Sequence, residues 1–259
     1  MKRLLEYRLI GITLIIISVF SVPLWLNTYD KGTEIEIVFK AQDKQTNPYQ
    51  EEYEKMLYPT VRITSSSGTG SGVVIDVTKV TTVIPPCGIT IVTGCYILTA
   101  AHVVDNQSEV KVELYNSTVI TASVIITDTA KDLALLKLSN IQHLISNIYS
   151  AHLAPKDYTP YLFTPVWTVG CSLGLKPRPS FGHLCALGDS VADNWEVSSP
   201  VLPGNSGGPV FDARTYEVIG IAVWVKVYDG QLITTMAGVV PINQIYEFLN
   251  HKDTKDTKN

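Results

Sequence analysis

Short stretches of alternating apolar and polar residues dominate the chain, and few of them exceed eight residues. Such runs, separated by Gly, Pro, Asn, Asp and Ser, predict β-strands joined by turns. A first set is expected at Val61-Arg62-Ile63, Val73-Val74-Ile75, Tyr96 onward, Glu109–Tyr115, Val119–Thr127 and Ala134–Leu138. Ser139 to Tyr158 is weakly patterned and reads as a connection. A second set follows at Val166–Val169, His183–Leu187, Trp195–Ser198, Gly208–Phe211, Val218–Val227 and Ile233–Val240. The period changes at Ile242, where Ile242, Ile245, Tyr246 and Leu249 share one face of a predicted C-terminal helix. Two groups of short strands without alternating helices predict an all-β protein of two packed barrels, six strands each.

The ends of the chain depart from this pattern. Leu9 to Leu26 is an uncharged apolar run of 18 residues. As a helix it would cover about 27 Å, close to the hydrocarbon thickness of a bilayer. Lys2, Arg3 and Arg8 precede it, whereas Asp30, Glu34 and Glu36 follow. The basic side is expected in the cytoplasm, which places the remainder of the chain outside. A cleaved signal peptide ending near Ser21 is the competing reading. Residues 27–57 read as a linker, with an amphipathic strand over Thr33–Lys40, alternating as Glu34-Ile35-Glu36-Ile37-Val38-Phe39, and a short helix over Tyr49–Leu57 that Pro59 prevents from continuing. The packed domain is expected over 58–250, with barrel one at 58–140, barrel two at 159–241 and the helix at 242–250. Residues 251–259, polar and repetitive, read as a disordered tail.

Charge adds little. A net charge of −4 with no Lys/Arg-rich face argues against a nucleic-acid partner. The four cysteines form two local pairs, Cys87/Cys95 and Cys171/Cys185. Export permits disulfides, and both pairs are expected to form them. Neither has zinc-ligand spacing, so no metal or other cofactor is expected.

Three segments carry chemistry. Gly204-Asn205-Ser206-Gly207-Gly208-Pro209-Val210 is a glycine-rich loop around a serine. A loop that aims a hydroxyl outward and its own amides at a developing oxyanion needs backbone angles that side chains disfavour. Tyr96-Ile97-Leu98-Thr99-Ala100-Ala101-His102 reads as a buried strand ending on a histidine, and Asp132 opens the strand Leu133–Leu138. A serine hydroxyl needs a base within hydrogen-bond reach, and that base needs an orienting carboxylate. His102, Asp132 and Ser206 are therefore the candidate catalytic triad, with the N–H groups of Gly204 and Ser206 as the oxyanion hole. His143, His152, His183 and His251 sit in no comparable motif.

The order His102, Asp132, Ser206 is that of chymotrypsin-like enzymes. Over residues 58–250 the chain resembles trypsin-fold serine peptidases of the Deg/HtrA type. The likeness rests on Gly70-Ser71-Gly72-Val73-Val74-Ile75, the His102, Asp132 and Ser206 segments, Val169-Gly170-Cys171-Ser172-Leu173-Gly174, Val218-Ile219-Gly220-Ile221 and Gly238-Val239-Val240-Pro241-Ile242. It implies endopeptidase activity on polypeptides in a cleft between two barrels. The usual peptide-binding PDZ domain has no counterpart in these residues, Val77 to Gly94 reads as an inserted hairpin, and Cys171 stands where a polar residue is common. Asn205 replaces the aspartate that pairs with a newly cut N-terminus in digestive members, so that mode of activation is not expected.

By the same resemblance the S1 pocket is lined by Pro200, Val201 and Leu202 on one wall and by Ala222, Val223, Trp224 and Val225 on the other. None offers a charge to pair with Lys, Arg or Glu, so small or medium aliphatic P1 residues are expected. A trypsin-fold module that binds polypeptides without cutting them is the alternative function, and all three triad residues being present weighs against it.

Overall fold

The computed structural model describes residues 28–31, 34–37, 47–84, 87–138, 141, 148–188 and 193–250, with the backbone course alone at 28–31, 34–37, 76–84 and 87–93. The apolar run 9–26 and the tail 251–259 lie outside the described residues. Among the described residues, no helix is long and apolar enough to cross a membrane.

The chain divides into two compact units, 1–48 and 49–259. In the first, β1 (Thr28–Lys31) and β2 (Glu34–Ile37) form an antiparallel hairpin. The second opens on a helical turn, α1 (Gln50–Glu52), which widens to a π turn over Tyr53–Leu57. Barrel one follows: β3 (Thr60–Thr64), β4 (Thr69–Ile84), β5 (Cys87–Thr99), a helical turn α2 (Ala101–Val104), β6 (Glu109–Glu113), β7 (Val119–Asp128) and β8 (Leu133–Leu138). These strands close in the order β3-β4-β5-β8-β7-β6. Barrel two comprises β9 (Pro165–Gly170), β10 (Arg178–Leu187), β11 (Trp195–Val197), β12 (Pro209–Asp212), β13 (Val218–Tyr228) and β14 (Gln231–Pro241), closed as β10-β11-β14-β13-β12-β9. The helix α3 (Ile242–Asn250) ends the described chain.

Sequence periodicity explains these elements. In β6, Val110 and Val112 face inward while Glu109 and Lys111 face solvent. β8 lies between β5 and β7, and every residue but Lys137 is buried, as a run without alternation should be. Ile63, Ile97, Leu98, Leu133 and Leu136 fill barrel one; Leu184, Phe211, Ile219 and Ile221 belong to the core of barrel two. Each large apolar side chain removed from water in this way contributes roughly 1.5–3 kcal/mol. On α3 the buried residues are Ile242, Ile245 and Phe248, with Tyr246 and Leu249 half-buried. Phe248 therefore joins the face expected from sequence.

The connection between barrels is pinned to both of them. Ala151 N–H donates to the Val74 carbonyl of β4, and Ala154 N–H donates to the Val218 carbonyl of β13. Val218 N–H returns a bond to His152 O at 2.7 Å. Farther on, Tyr158 donates its hydroxyl to the buried Asp212 carboxylate, which also receives Arg214. Burial alone would raise the Asp212 carboxyl, but the Arg214 and Tyr158 hydrogen bonds together hold it below the ordinary carboxylate value.

Neither expected disulfide survives the strand geometry. β4 ends at Ile84 and β5 begins at Cys87, with Ile84 paired to Cys87 and Val77 to Cys95. Cys87 and Cys95 thus lie on one strand, eight positions and about 26 Å apart if extended. In the second pair, Arg178 faces Gly170 and His183 faces Pro165, so the strands carry Cys185 away from Cys171. Cys171 and Cys185 are free thiols, one buried and one exposed. A disulfide needs Cα atoms within about 7 Å, which neither arrangement provides. The inserted hairpin is simply the outer part of β4 and β5 continuing their pairing.

Candidate active site

His102 is not at the tip of a strand. β5 ends at Thr99, and Ala101–Val104 form the single helical turn α2, begun by Val103 N–H donating to Ala100 O. The turn stops at Asp105, which adopts a left-handed φ of 47°. This bend lifts the His102 ring off the barrel, and its side chain is 48% exposed.

Asp132 reaches the same place from the loop before β8. Its backbone is left-handed, with φ of 54°, a region that Asp tolerates better than most residues. One carboxylate oxygen accepts the His102 backbone N–H at 3.0 Å, and the other lies 2.7 Å from His102 Nδ1. A carboxylate can only accept, so Nδ1 carries the proton and Nε2 presents its lone pair. The two bonds fix both the backbone and the ring of His102. A cavity of about 300 Å³ opens beside them, lined by Ala101, His102, Asp105, Asn106, Thr129 and Asp132.

The serine loop approaches from barrel two. Ser206 is half-buried, and among the described residues its hydroxyl forms no hydrogen bond with His102 Nε2. Such bonds are commonly long before substrate arrives. Backbone contacts bring the loop to the histidine all the same. Ser71 N–H on β4 donates to Ser206 O at 2.8 Å. The Cβ position of Gly207 lies 2.2 Å from Thr99 Oγ1 and 2.9 Å from Ala100 N, two residues before His102.

Gly204 requires glycine on two counts. Its φ is +98°, and a Cβ would fall 2.4 Å from the Cys171 carbonyl oxygen. Asn205 beside it is fully buried, and its side-chain oxygen accepts the Ser172 hydroxyl at 2.6 Å. Asn205 therefore docks on the loop after β9. Cys171 in that loop is a buried neutral thiol; burial pushes it up to about 11 despite the Ser71 hydrogen bond, so it has little thiolate character.

The residues expected to form the S1 pocket divide into three groups, with Trp224 and Val225 half-buried. Val201, Ala222 and Val223 are buried, whereas Pro200 and Leu202 are exposed. Gly207 N–H donates to Ala222 O and Ala222 N–H donates to Gly208 O, which ties the serine loop to β13. The β13–β14 register shifts between Ala222 and Trp224, so Ala222 and Val223 can both face inward. Trp224 then lies across Gly238 of β14, where a Cβ would sit 1.9 Å from the indole. Val225 is half-buried opposite Ala237.

Sequence alone assigns no role to the residues that support the loop, Ser71, Thr99 and Ser172, although each lies inside a motif: Gly70-Ser71-Gly72, the Tyr96–His102 segment and Val169–Gly174. Of the remaining histidines, His183 packs its ring against Phe181 and His152 contributes its carbonyl to the inter-barrel connection; His143 and His251 lie outside the described residues.

The chain is similar to known serine proteases. The chain is 31% identical over 169 residues to the periplasmic serine endoprotease DegP of Salmonella typhimurium, covering 62% of this chain and 31% of that protein. It is 32% identical over 175 residues to a serine protease HtrA-like protein of Staphylococcus epidermidis, covering 61% of this chain and 29% of the relative. The chain thus spans about a third of the length of these relatives. The crystal structure of a serine endoprotease from Yersinia pestis superposes with a TM-score of 0.61 over 81% of this chain and 68% of that one, at 18% identity, which bears on the fold alone. Residues 70–221 match the family described as the trypsin-like peptidase domain, from the motif containing Ser71 to the first residues of β13, and the chain belongs to that family.

Proposed function

We propose that this chain is an exported serine endopeptidase that works through an acyl-enzyme on Ser206. The observation that carries the reading is the His102 Nδ1–Asp132 Oδ2 contact of 2.7 Å beside a serine loop with a glycine at φ +98°. In this scheme Ser206 Oγ attacks the scissile carbonyl carbon while His102 Nε2 takes its proton. The tetrahedral oxyanion is held by the N–H groups of Gly204 and Ser206. His102 then gives the proton to the leaving amine, and water repeats the sequence to release the acyl group. The likeness to DegP, a periplasmic serine endoprotease, supports both the peptide substrate and an extracytoplasmic site. A module that binds polypeptides without cutting them would have no use for the His102–Asp132 pair. Labelling by a fluorophosphonate, retained by the wild type and lost in Ser206→Ala, separates the two.

Residues 9–26 are proposed as the membrane anchor, with 1–8 in the cytoplasm, 27–57 as a linker and 58–250 outside. The full chain should stay with membranes through alkaline carbonate extraction. A mature chain beginning near Val22 and released by carbonate would mean that the segment is a cleaved signal peptide.

The pocket reading predicts cleavage after Val, Ala, Ile or Leu in preference to Lys, Arg or Glu. Its support is the apolar character of Val201, Ala222, Val223 and Val225 and the burial of the first three. Leaving a P1 charge unpaired there costs several kcal/mol, against roughly 1.5–3 kcal/mol gained by burying Val or Leu. Val225 and the Trp224 ring would narrow the entrance against Phe, Tyr and Trp. Profiling on a peptide library tests this, and dominance of Arg or Lys at P1 would contradict it.

A further inference from the structure

We propose that Ser71, on barrel one, is a positioning residue for the oxyanion hole on barrel two; the proposal rests on the peptidase reading above. Ser71 is fully buried, and three of its polar groups are spent on the barrel interface or its anchor. Its hydroxyl donates to Gly204 O at 2.6 Å and accepts the Cys171 N–H at 2.7 Å, which uses its one proton and one lone pair. Its backbone N–H donates to Ser206 O at 2.8 Å. Its carbonyl accepts Thr99 Oγ1 at 2.6 Å, anchoring it to β5 three residues before His102.

The two oxyanion donors sit on alternate peptide units of one loop. The Gly204 N–H belongs to the Pro203–Gly204 peptide, whose carbonyl accepts Leu173 N–H at 2.7 Å. The Ser206 N–H belongs to the Asn205–Ser206 peptide, whose carbonyl accepts Gly208 N–H at 2.9 Å. Because each unit is planar and trans, holding the oxygen aims the N–H the opposite way. The peptide between these two units is Gly204–Asn205, and its oxygen is the one held by the Ser71 hydroxyl. The following peptide, Ser206–Gly207, is held by the Ser71 N–H. Ser71 thus supplies two of the four contacts that hold the carbonyl oxygens from Pro203 to Ser206, while the Asn205 N–H of the central peptide donates to Leu202 O at 3.0 Å. The central one governs the angle between the two donors. Gly204 is where that angle is softest, since without a Cβ its peptides rotate most freely.

The geometry has a consequence that packing alone would not produce. Loss of the hydroxyl should weaken transition-state binding and leave ground-state binding intact. Ser71→Ala is expected to lower kcat by about 10- to 100-fold, less than the roughly 10²–10³-fold typical of losing an oxyanion donor outright because the donor is misaimed and not removed, with KM unchanged. Affinity for a peptide boronate, whose adduct with Ser206 places an oxygen in the hole, should fall by a similar factor. Ser71→Cys keeps the shape with a weaker donor and should fall between wild type and Ser71→Ala; it carries the same test if the alanine variant does not fold. Wild-type kcat in either folded variant, a loss confined to KM, or unchanged boronate affinity would overturn the role of Ser71. A folded wild-type chain that neither cleaves peptides nor takes the fluorophosphonate would instead overturn the peptidase reading, and this assignment with it.

Discussion

Ser206→Ala should lower kcat on a peptide substrate by about 10⁶-fold, the scale observed when the nucleophile is removed from such a triad. The argument starts from what the hydroxyl does in the resting protein. Among the described residues it makes no hydrogen bond, and Ser206 does not have the left-handed backbone seen at nine other non-glycine positions. Alanine can therefore take its place without strain and without orphaning a partner. The Ser206 carbonyl still accepts from Ser71 N–H, and Asn205 remains docked on Ser172. Thermal stability should stay within about 0.5 kcal/mol of wild type, as for substitutions that touch no buried partner. Activity should not fall to the uncatalysed rate, because the backbone donors of residues 204 and 206 survive; roughly 10³–10⁴ of acceleration is typical of what remains. Steady-state kinetics and a melting curve on the same preparation give both numbers. Turnover near the wild-type value would remove Ser206 from the mechanism.

Much of this fold is legible because its strands are short and each exposes one face. In β6 a simple alternation of Val and charged residues is enough to place every side chain. The pieces of the site are legible for a related reason. His102, Asp132 and Ser206 each sit at an element boundary, where glycine, small residues or a change of period mark the chain locally. What cannot be read is how boundaries are spaced in three dimensions. The sequence suggests that Cys87 and Cys95 flank a hairpin, but β5 runs from Cys87 to Thr99 and carries both. Cys171 and Cys185 are near in sequence, but the β9–β10 pairing carries the second far along the sheet from the first. Ser71 is the reverse case. It contacts Gly204 across 133 positions, and nothing periodic in either segment announces the other. Its one local sign is the flanking pair Gly70 and Gly72, which lets β4 approach both Val103 and the interior of barrel one closely. His102 illustrates a smaller limit. Ala100-Ala101 continues the apolar run of β5 seamlessly, so the sequence does not distinguish a strand tip from the helical turn that aims the ring.

Asp132→Asn should lower kcat by about 10⁴-fold while preserving the fold, and it is the sharpest test of how His102 is oriented. Asp132 occupies a left-handed backbone at φ 54°, and Asn is the substitution best able to keep that conformation. Its side-chain oxygen can still accept the His102 backbone N–H, now taken by Asp132 Oδ1 at 3.0 Å. The amide nitrogen must then face the ring where Oδ2 lies 2.7 Å from Nδ1. That nitrogen donates, so Nδ1 has to accept, and the proton moves to Nε2. Nε2 can then no longer take the Ser206 proton, and the carboxylate charge that stabilises the imidazolium is gone as well. Substrate contacts are untouched, so the loss should fall on kcat and leave KM near wild type. Asp132→Ala would be a poorer probe, because it adds backbone strain of roughly 1–2 kcal/mol to the loss of the carboxylate. The proton shift has its own signature: nitrogen-15 spectra of His102 should report the proton on Nδ1 in the wild type and on Nε2 in Asp132→Asn. An asparagine variant that keeps wild-type kcat, or a ring whose proton stays on Nδ1, would show that Asp132 does not set the tautomer.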